Sequence, residues 1–183
     1  MGNWKLAAAM AMGSVIALST PTMARNPMVG GAPMYSTKNI VQNAVNSKDH
    51  TTLVAAVKAA GLVDTLSSKG PFTVFAPTNA AFGKLPAGTV ETLIKPESKE
   101  MLTKILTYHV VPGRITAQQI ASMAAKHGGT ATLKTVEGEN LMFRKAGSSW
   151  WVVDAKGGKA RITIANVMQS NGVIHVVDTV LMP

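Results

Sequence analysis

The sequence predicts an α+β fold, with helices concentrated in the first half of the chain and strands in the second half. Within residues 70–82, GPFTVFAPTNAAF, the segment 72–76 is rich in β-branched and aromatic side chains and apolar on both faces, which is typical of a buried strand; Pro77 and the start of a short helix follow it. Residues 170–181, SNGVIHVVDTVL, contain a second apolar strand. Helical spacing of apolar residues precedes the first stretch, whereas turn signals between short β-rich runs precede the second.

The first 24 residues have the order of a secretory signal peptide. Lys5 is followed by an apolar run and then by Thr22-Met23-Ala24, which predicts cleavage after Ala24. The apolar run, residues 6–18, is shorter than the about 20 residues that a membrane-spanning helix needs, so we expect no transmembrane anchor. This signal predicts a secreted or periplasmic location.

The chain has no cysteine and a formal net charge of +9. It therefore has no disulfide and no cysteine for a lipid anchor, and it must fold by burial alone. The positive charge either favours an anionic lipid, acidic polysaccharide or acidic protein outside the cell, or only keeps the surface solvated. Basic residues are scattered and do not interleave with aromatic ones, so we expect no nucleic acid partner.

Residues 25–38, RNPMVGGAPMYSTK, are rich in Pro, Gly and Met and show no periodicity. This composition predicts a flexible leader or a strap laid on the domain. The domain itself is expected to begin at Asn39, where helical spacing starts. The predicted helices lie at 39–45, 52–60, 62–66, 80–82, 87–94, 97–106 and 116–125.

Runs of β-branched and aromatic residues, separated by turn signals, predict the strands. Pro77 ends the first strand because it lacks an N–H, and Pro112-Gly113 ends the second. Glu137-Gly138, Ala146-Gly147-Ser148 and Asn171-Gly172 are typical of tight turns between strands. The predicted strands lie at 72–76, 108–111, 131–136, 140–145, 149–154, 161–165 and 173–177.

Three sequence blocks carry a resemblance to a known family. They are TVFAPTNAAF at 73–82, LTYHVVPG at 106–113 and NGVIHVVDTVLMP at 171–183. On these blocks the chain resembles the fasciclin domain, and specifically the small, secreted, single-domain fasciclin proteins of bacteria. The resemblance covers residues 39–183. It implies a wedge of two small β-sheets with helices packed along one side, and an interaction or adhesion module without enzyme activity.

The residues show no recognisable catalytic or cofactor-binding pattern. Ser170, His175 and Asp178 are the residue types of a serine hydrolase, but they crowd into nine residues and G-x-S-x-G is absent. His175, in a strand near Asp178, is expected to be a hydrogen-bonded structural residue. The histidines lack the spacing and the partners of a zinc site: His50, His109, His127 and His175. We therefore predict no catalytic residue, no metal and no cofactor.

Two adjacent pairs of rings are the candidates for contact with a partner: Tyr108, His109, Trp150 and Trp151. Alternation along a strand predicts that one ring of each pair lies in the core and the other meets solvent. In the resembling animal proteins the Tyr-His segment is tied to receptor binding; the alternative is a buried pair that fixes the strand. An exposed Trp suggests stacking on a sugar or another flat apolar ligand; the alternative is packing at an edge strand.

One departure from the adhesive animal domains concerns the positions before the last block. Those domains often have Asp-Ile there, and this chain has Asn166-Val167. The acidic residue that would meet a receptor-bound cation is therefore absent.

The sequence thus predicts an exported monomer that binds a protein or polysaccharide at the cell surface or in the matrix. The alternative is a carrier of an elongated apolar small molecule such as a carotenoid, because some similar algal and bacterial proteins bind carotenoids between helices and sheet. Methionines would suit an adaptable apolar groove, or they only fill the core. Seven follow the predicted cleavage site: Met28, Met34, Met101, Met123, Met142, Met168 and Met182.

Overall fold

The computed structural model describes residues 26–183, and the predicted signal peptide and its cleavage site lie outside them. The helices of the described chain are α1 Ile40–Ala44, α2 Thr51–Ala60, α3 Val63–Ser67, α4 Asn79–Gly83, α5 Thr89–Leu93, α6 Lys99–Tyr108 and α7 Ala117–Lys126. Its strands are β1 Met28–Val29, β2 Ala32–Pro33, β3 Phe72–Pro77, β4 Val110–Pro112, β5 Thr130–Lys134, β6 Asn140–Ala146, β7 Ser149–Val153, β8 Lys159–Gln169 and β9 Gly172–Val177. The predicted α+β class is confirmed.

Seven strands form one continuous sheet in the order β4-β3-β9-β8-β7-β6-β5, where the resemblance implied two small sheets. The strand β8 joins the two halves because it pairs with β7 near its start and with β9 over the rest of its length. Register shifts between Ile162 and Val167 interrupt the pairing with β9, and such bulges bend a strand. The Val136 N–H, just beyond β5, donates to the Val110 oxygen in β4 at 2.8 Å. The sheet therefore curls until its two ends meet.

The strand β3 separates two apolar cores. Val74 and Ala76 belong to the core that α1 to α6 cover, whereas Phe75 belongs to a second core inside the curled sheet. The predicted burial of both faces of this strand is confirmed, since residues 73–77 are all buried. Helix α7 contributes Ile120 and Ala124 to the second core, so the helices do not all pack along one side.

Residues 26–38 form a strap, one of the two alternatives for the segment before the domain. Val29 and Met34 are only 4% and 2% exposed, and β1 pairs with β2 to form a short hairpin. The Asn43 side chain donates to the Tyr35 carbonyl at 2.7 Å and accepts the Tyr35 N–H at 3.1 Å. Burial of two apolar side chains and this amide clamp hold the strap on α1.

The turn between β8 and β9 also anchors two helices. Asn171 is buried and accepts the N–H of Ile40, at the start of α1, at 3.0 Å. Its amide group donates to the carbonyls of Leu66 and Ser68 at 2.8 Å each, at the end of α3. The sequence predicted the turn but not these long-range bonds.

Candidate functional site

Tyr108 and His109 were predicted to lie in a strand, but they lie at the end of a helix. Tyr108 is the last residue of α6, His109 is its C-cap, and the strand begins only at Val110. Both side chains are buried, with 0% and 2% of their surface exposed. The prediction that one of the two rings meets solvent is therefore wrong, because helical geometry does not place adjacent residues on opposite faces. The alternative, a buried pair, is confirmed, although the pair ends a helix and does not lie in a strand.

The polar atoms of this pair are bonded to the backbone. The Tyr108 hydroxyl donates to the Asn140 carbonyl at 3.3 Å and accepts the Ala155 N–H at 2.9 Å. His109 Nδ1 donates to the Ile105 carbonyl at 2.8 Å, and Nε2 accepts the Leu181 N–H at 3.0 Å. Burial lowers the pKa of His109 to about 4 and raises the pKa of Tyr108. The neutral ring of His109 thus fixes the C-terminal segment to α6.

His175 is also a structural residue, as predicted, but its partners are not those expected. Its Nε2 donates to the Ile115 carbonyl at 2.9 Å, its Nδ1 accepts the Asn166 N–H at 3.3 Å, and its ring stacks on Phe75. Burial lowers the pKa of His175. Asp178 instead accepts the Arg161 N–H at 2.9 Å, so the structure does not join His175 and Asp178.

Asn166, at the position where adhesive animal domains often have an acidic residue, forms hydrogen bonds within the domain. Its φ is +59°, an unusual conformation within the irregular part of β8. Its side-chain oxygen accepts the Ala117 N–H at 2.8 Å, and its amide donates to Gln118 at 2.9 Å. Asn166 therefore caps the start of α7 together with Thr116.

Neither a metal cluster nor a membrane-spanning helix occurs within residues 26–183. No three His, Asp or Glu side chains of this part of the chain come close enough to hold a metal ion. None of its helices combines the length and the apolar character needed to cross a bilayer.

The adjacent tryptophans face opposite sides of β7, but both are partly exposed, so the expected division into one buried and one exposed ring is wrong. Trp150 pairs with Lys145 and packs against the second core. Trp151 lies in register with Arg144 on one side and Arg161 on the other. The next row across the same strands is fully buried and marks the inner side: Phe143, Val152 and Ala160. Trp151 and its two arginines therefore lie on the outer side of the sheet.

This outer surface, which we call the open face, includes Thr130, Thr132, Lys134, Asn140, Met142, Arg144, Trp151, Val153, Lys159 and Arg161. Residues 140–161 contain one acid, Asp154, and five basic residues: Arg144, Lys145, Lys156, Lys159 and Arg161. Asp154 is only 4% exposed, and its carboxylate accepts the N–H groups of Lys156, Gly158 and Met182. The surface charge of this region is consequently positive.

Sequence reasoning singled out Trp151 but missed the arginines beside it. The signal for Arg144 was present, because a two-residue turn at Gly147-Ser148 pairs Ala146 with Ser149 and hence Arg144 with Trp151. The position of Arg161 depends on the longer loop between β7 and β8, whose register the turn residues do not determine.

Two small apolar cavities lie beneath α1, in the core that the helices α1 to α6 cover. One of about 40 Å³ is lined by α1, α2, α3 and β3, with His109 and Lys58 among its residues. The other, of about 20 Å³, shares Ile40 and Leu53 with it and contacts His50. His50 Nδ1 lies 2.9 Å from the Ser47 hydroxyl, while Nε2 has no hydrogen-bond partner among the described residues, although the Ala76 backbone is near. Cavities of these volumes hold water-sized molecules only.

Comparison with known proteins decides the family. A sequence model of the fasciclin domain matches residues 48–183. The chain belongs to the fasciclin family. This fasciclin domain is 48% identical over 175 residues to protein sll1483 of Synechocystis sp., an alignment that covers 96% of this chain and 90% of that protein.

Two further relatives come from Mycobacterium bovis. The immunogenic protein MPB70 is 33% identical to this fasciclin domain over 187 residues, which covers 92% of this chain and 88% of the relative. The cell surface glycolipoprotein MPB83 is 35% identical over 166 residues, which covers 87% and 68% of the two chains.

A solved structure agrees on the fold. The FAS1 domain pair from the insect cell adhesion molecule Fasciclin I superposes with a TM-score of 0.70 at 18% identity, covering 80% of this fasciclin domain and 51% of that chain. At this identity the similarity concerns the fold alone.

Proposed function

We propose that this fasciclin domain is an exported, non-enzymatic interaction module that binds a partner at the cell surface or in the matrix through its open face. The observation that carries the proposal is the row Arg144-Trp151-Arg161 on the outer side of the sheet. A relative named as a cell surface glycolipoprotein supports the location. The internal bonding of His109 and His175 supports a role other than catalysis.

The composition of the open face is that of a binding surface. Tryptophan and arginine are enriched at the energetic centres of interfaces, where a large ring excludes water around charged hydrogen bonds. Met142 and Val153 form the next outward pair and add partly exposed apolar surface beside Trp151. A ring, two guanidinium groups and an aliphatic pair thus lie side by side on one surface.

Co-sedimentation of the purified domain with the cell-envelope fraction of its own host tests this proposal. We expect the wild type to bind and Trp151→Ala to lose most of the binding. Tyr35→Ala is the matched control, because it removes a ring that is 40% exposed on the strap. Equal binding by wild type and Trp151→Ala would contradict the proposal.

A second candidate function is transport of an apolar small molecule beneath α1. The observation that favours it is the pair of adjoining apolar cavities with the unpartnered Nε2 of His50 at one end. An elongated ligand requires α1 and the strap to move outward, since the cavities hold about 40 and 20 Å³. Organic extraction of protein exported by its own host tests this candidate, and an extract without ligand would contradict it.

A further inference from the structure

We infer that the open face binds a linear acidic polysaccharide, with Trp151 stacked on a sugar ring and Arg144 and Arg161 paired with its anionic groups. This inference rests on the proposed function, which makes the open face the partner surface. It adds the chemical class of the partner and the task of each side chain.

The first argument is the geometry of the row. Neighbouring strands lie about 4.8 Å apart, so the Cα atoms of Arg144 and Arg161 are about 10 Å apart with Trp151 between them. A polymer that crosses the strands would place one sugar ring over the indole. The anionic groups of the polymer on either side of that ring would then lie over the two guanidinium groups. Indole rings stack on flat apolar surfaces, and guanidinium groups bind carboxylates with two parallel hydrogen bonds.

The second argument is that the cations of the open face are available. Within residues 26–183, no carboxylate lies within 4.0 Å of the charged groups of Arg144, Lys134 or Lys159. Arg161 contacts Asp178 through Nε at 3.7 Å, a half-exposed pair that contributes little stability. An anionic polymer would therefore meet several cations without first displacing a buried ion pair.

The third argument separates a polysaccharide from an acidic protein. A stable protein interface has a desolvated, charge-depleted centre surrounded by a polar rim. The open face differs from such a centre because two lysines and two arginines lie on it, and lysine is depleted in protein interfaces. Alternating charge and ring surface fits a polymer whose sugar rings carry anionic groups.

Binding of alginate, an uronic-acid polymer, tests the inference, with neutral dextran and dextran sulfate as comparison polymers. We expect wild type to bind alginate and not dextran, and the affinity to fall as salt rises. Trp151→Ala and Arg144→Ala should each raise Kd about tenfold, whereas Trp151→Phe should retain most of the affinity because it keeps a ring. Tyr35→Ala and Lys95→Ala, which remove a ring and a charge elsewhere, should change Kd less than about twofold. Melting curves verify that each variant is folded.

Three results would overturn the inference. An equal loss of alginate affinity in Lys95→Ala and Arg144→Ala would show that the attraction is diffuse and electrostatic. Tight binding of dextran sulfate that is unchanged by Trp151→Ala would show the same. Absence of alginate binding would also overturn it. If Trp151-dependent binding to host envelopes persists although alginate does not bind, the open face binds another class of partner and the proposed function stands. The same conclusion follows if protease treatment of the envelopes abolishes that binding. If Trp151→Ala does not change envelope binding either, both the proposed function and the polysaccharide inference fail.

Discussion

His109 and His175 each connect backbone groups from separate parts of the chain, and they do so as neutral rings. The sequence could predict this for His175, because it lies between two apolar residues of a strand. It could not predict it for His109, because the apolar spacing of α6 leaves its last turn indistinguishable from the start of a strand. The side chains of Asn166 and Asn171 act through partners 48 to 131 residues away, which no local pattern reveals.

At the residue scale, His109→Ala should lower the free energy of unfolding by about 3 kcal/mol. The substitution leaves the buried Leu181 N–H and Ile105 carbonyl without their side-chain partner and creates a cavity next to α6. Urea denaturation measures the change. Lys95→Ala, at an exposed position, is the control and should change stability by less than about 0.5 kcal/mol. Unaltered stability of His109→Ala would show that the ring is not a structural bridge.

The same residue should make stability depend on pH. The folded pKa of His109, about 4, lies below its ordinary value of 6.5, so the unfolded chain takes up the proton first as pH falls. The contribution is complete above pH 6.5 and decreases as pH falls towards 4, by about 2 kcal/mol between about pH 7.5 and about pH 5. Burial also lowers the pKa values of His50 and His175, which act in the same direction.

Urea denaturation at these two pH values tests this dependence. His109→Gln, which cannot titrate, should show a smaller loss of stability between them than wild type. The account of His109 is wrong if the two proteins lose the same free energy.

At the scale of elements, the parallel pair β3 and β9 joins the two cores, and its first position requires glycine. A Cβ added to Gly172 would lie 2.0 Å from the Phe72 carbonyl oxygen, within the strand pair itself. Gly172→Ala should therefore lower the free energy of unfolding by more than about 2 kcal/mol. Gly83→Ala is the matched control, since its Cβ meets open space and Gly83 lies in helix α4. Comparable stability of the two variants would contradict the tight approach of β3 to β9.

The strands show which features of the sheet local sequence patterns can predict. The buried character of β3 and the hairpin between β6 and β7 could be predicted, because alternation and turn residues are local properties. The strand β8 was expected at 161–165 but runs from Lys159 to Gln169. The strand continues beyond the positive φ of Asn166 because the bulge preserves pairing with β9.

At the scale of the whole molecule, composition and the three sequence blocks were sufficient to predict the α+β class and the family. The curvature of the sheet was not predictable, because neither the bulges in β8 nor the contact between the two ends of the sheet, at Val136 and Val110, has a local sequence signal. The open face depends on register across four strands, so only Trp151 and, through the turn between β6 and β7, Arg144 could be selected from the sequence.

Export of the protein is a prediction at this scale as well. The intact mass of protein recovered from outside the cytoplasm should correspond to a chain that begins near Arg25, because the signal pattern ends at Ala24. Mass spectrometry of the host's secreted and periplasmic fractions measures this. A protein that retains residues 1–24 would contradict cleavage of a signal peptide.

The central claim is that this fasciclin domain acts through its outer surface and not through an internal ligand. Native mass spectrometry of protein exported by its own host, combined with an absorption spectrum, tests that claim most directly. We predict the mass of the mature chain alone and no visible absorption. A mass above that of the chain, with a visible chromophore, would contradict the claim and assign the function to the cavities beneath α1.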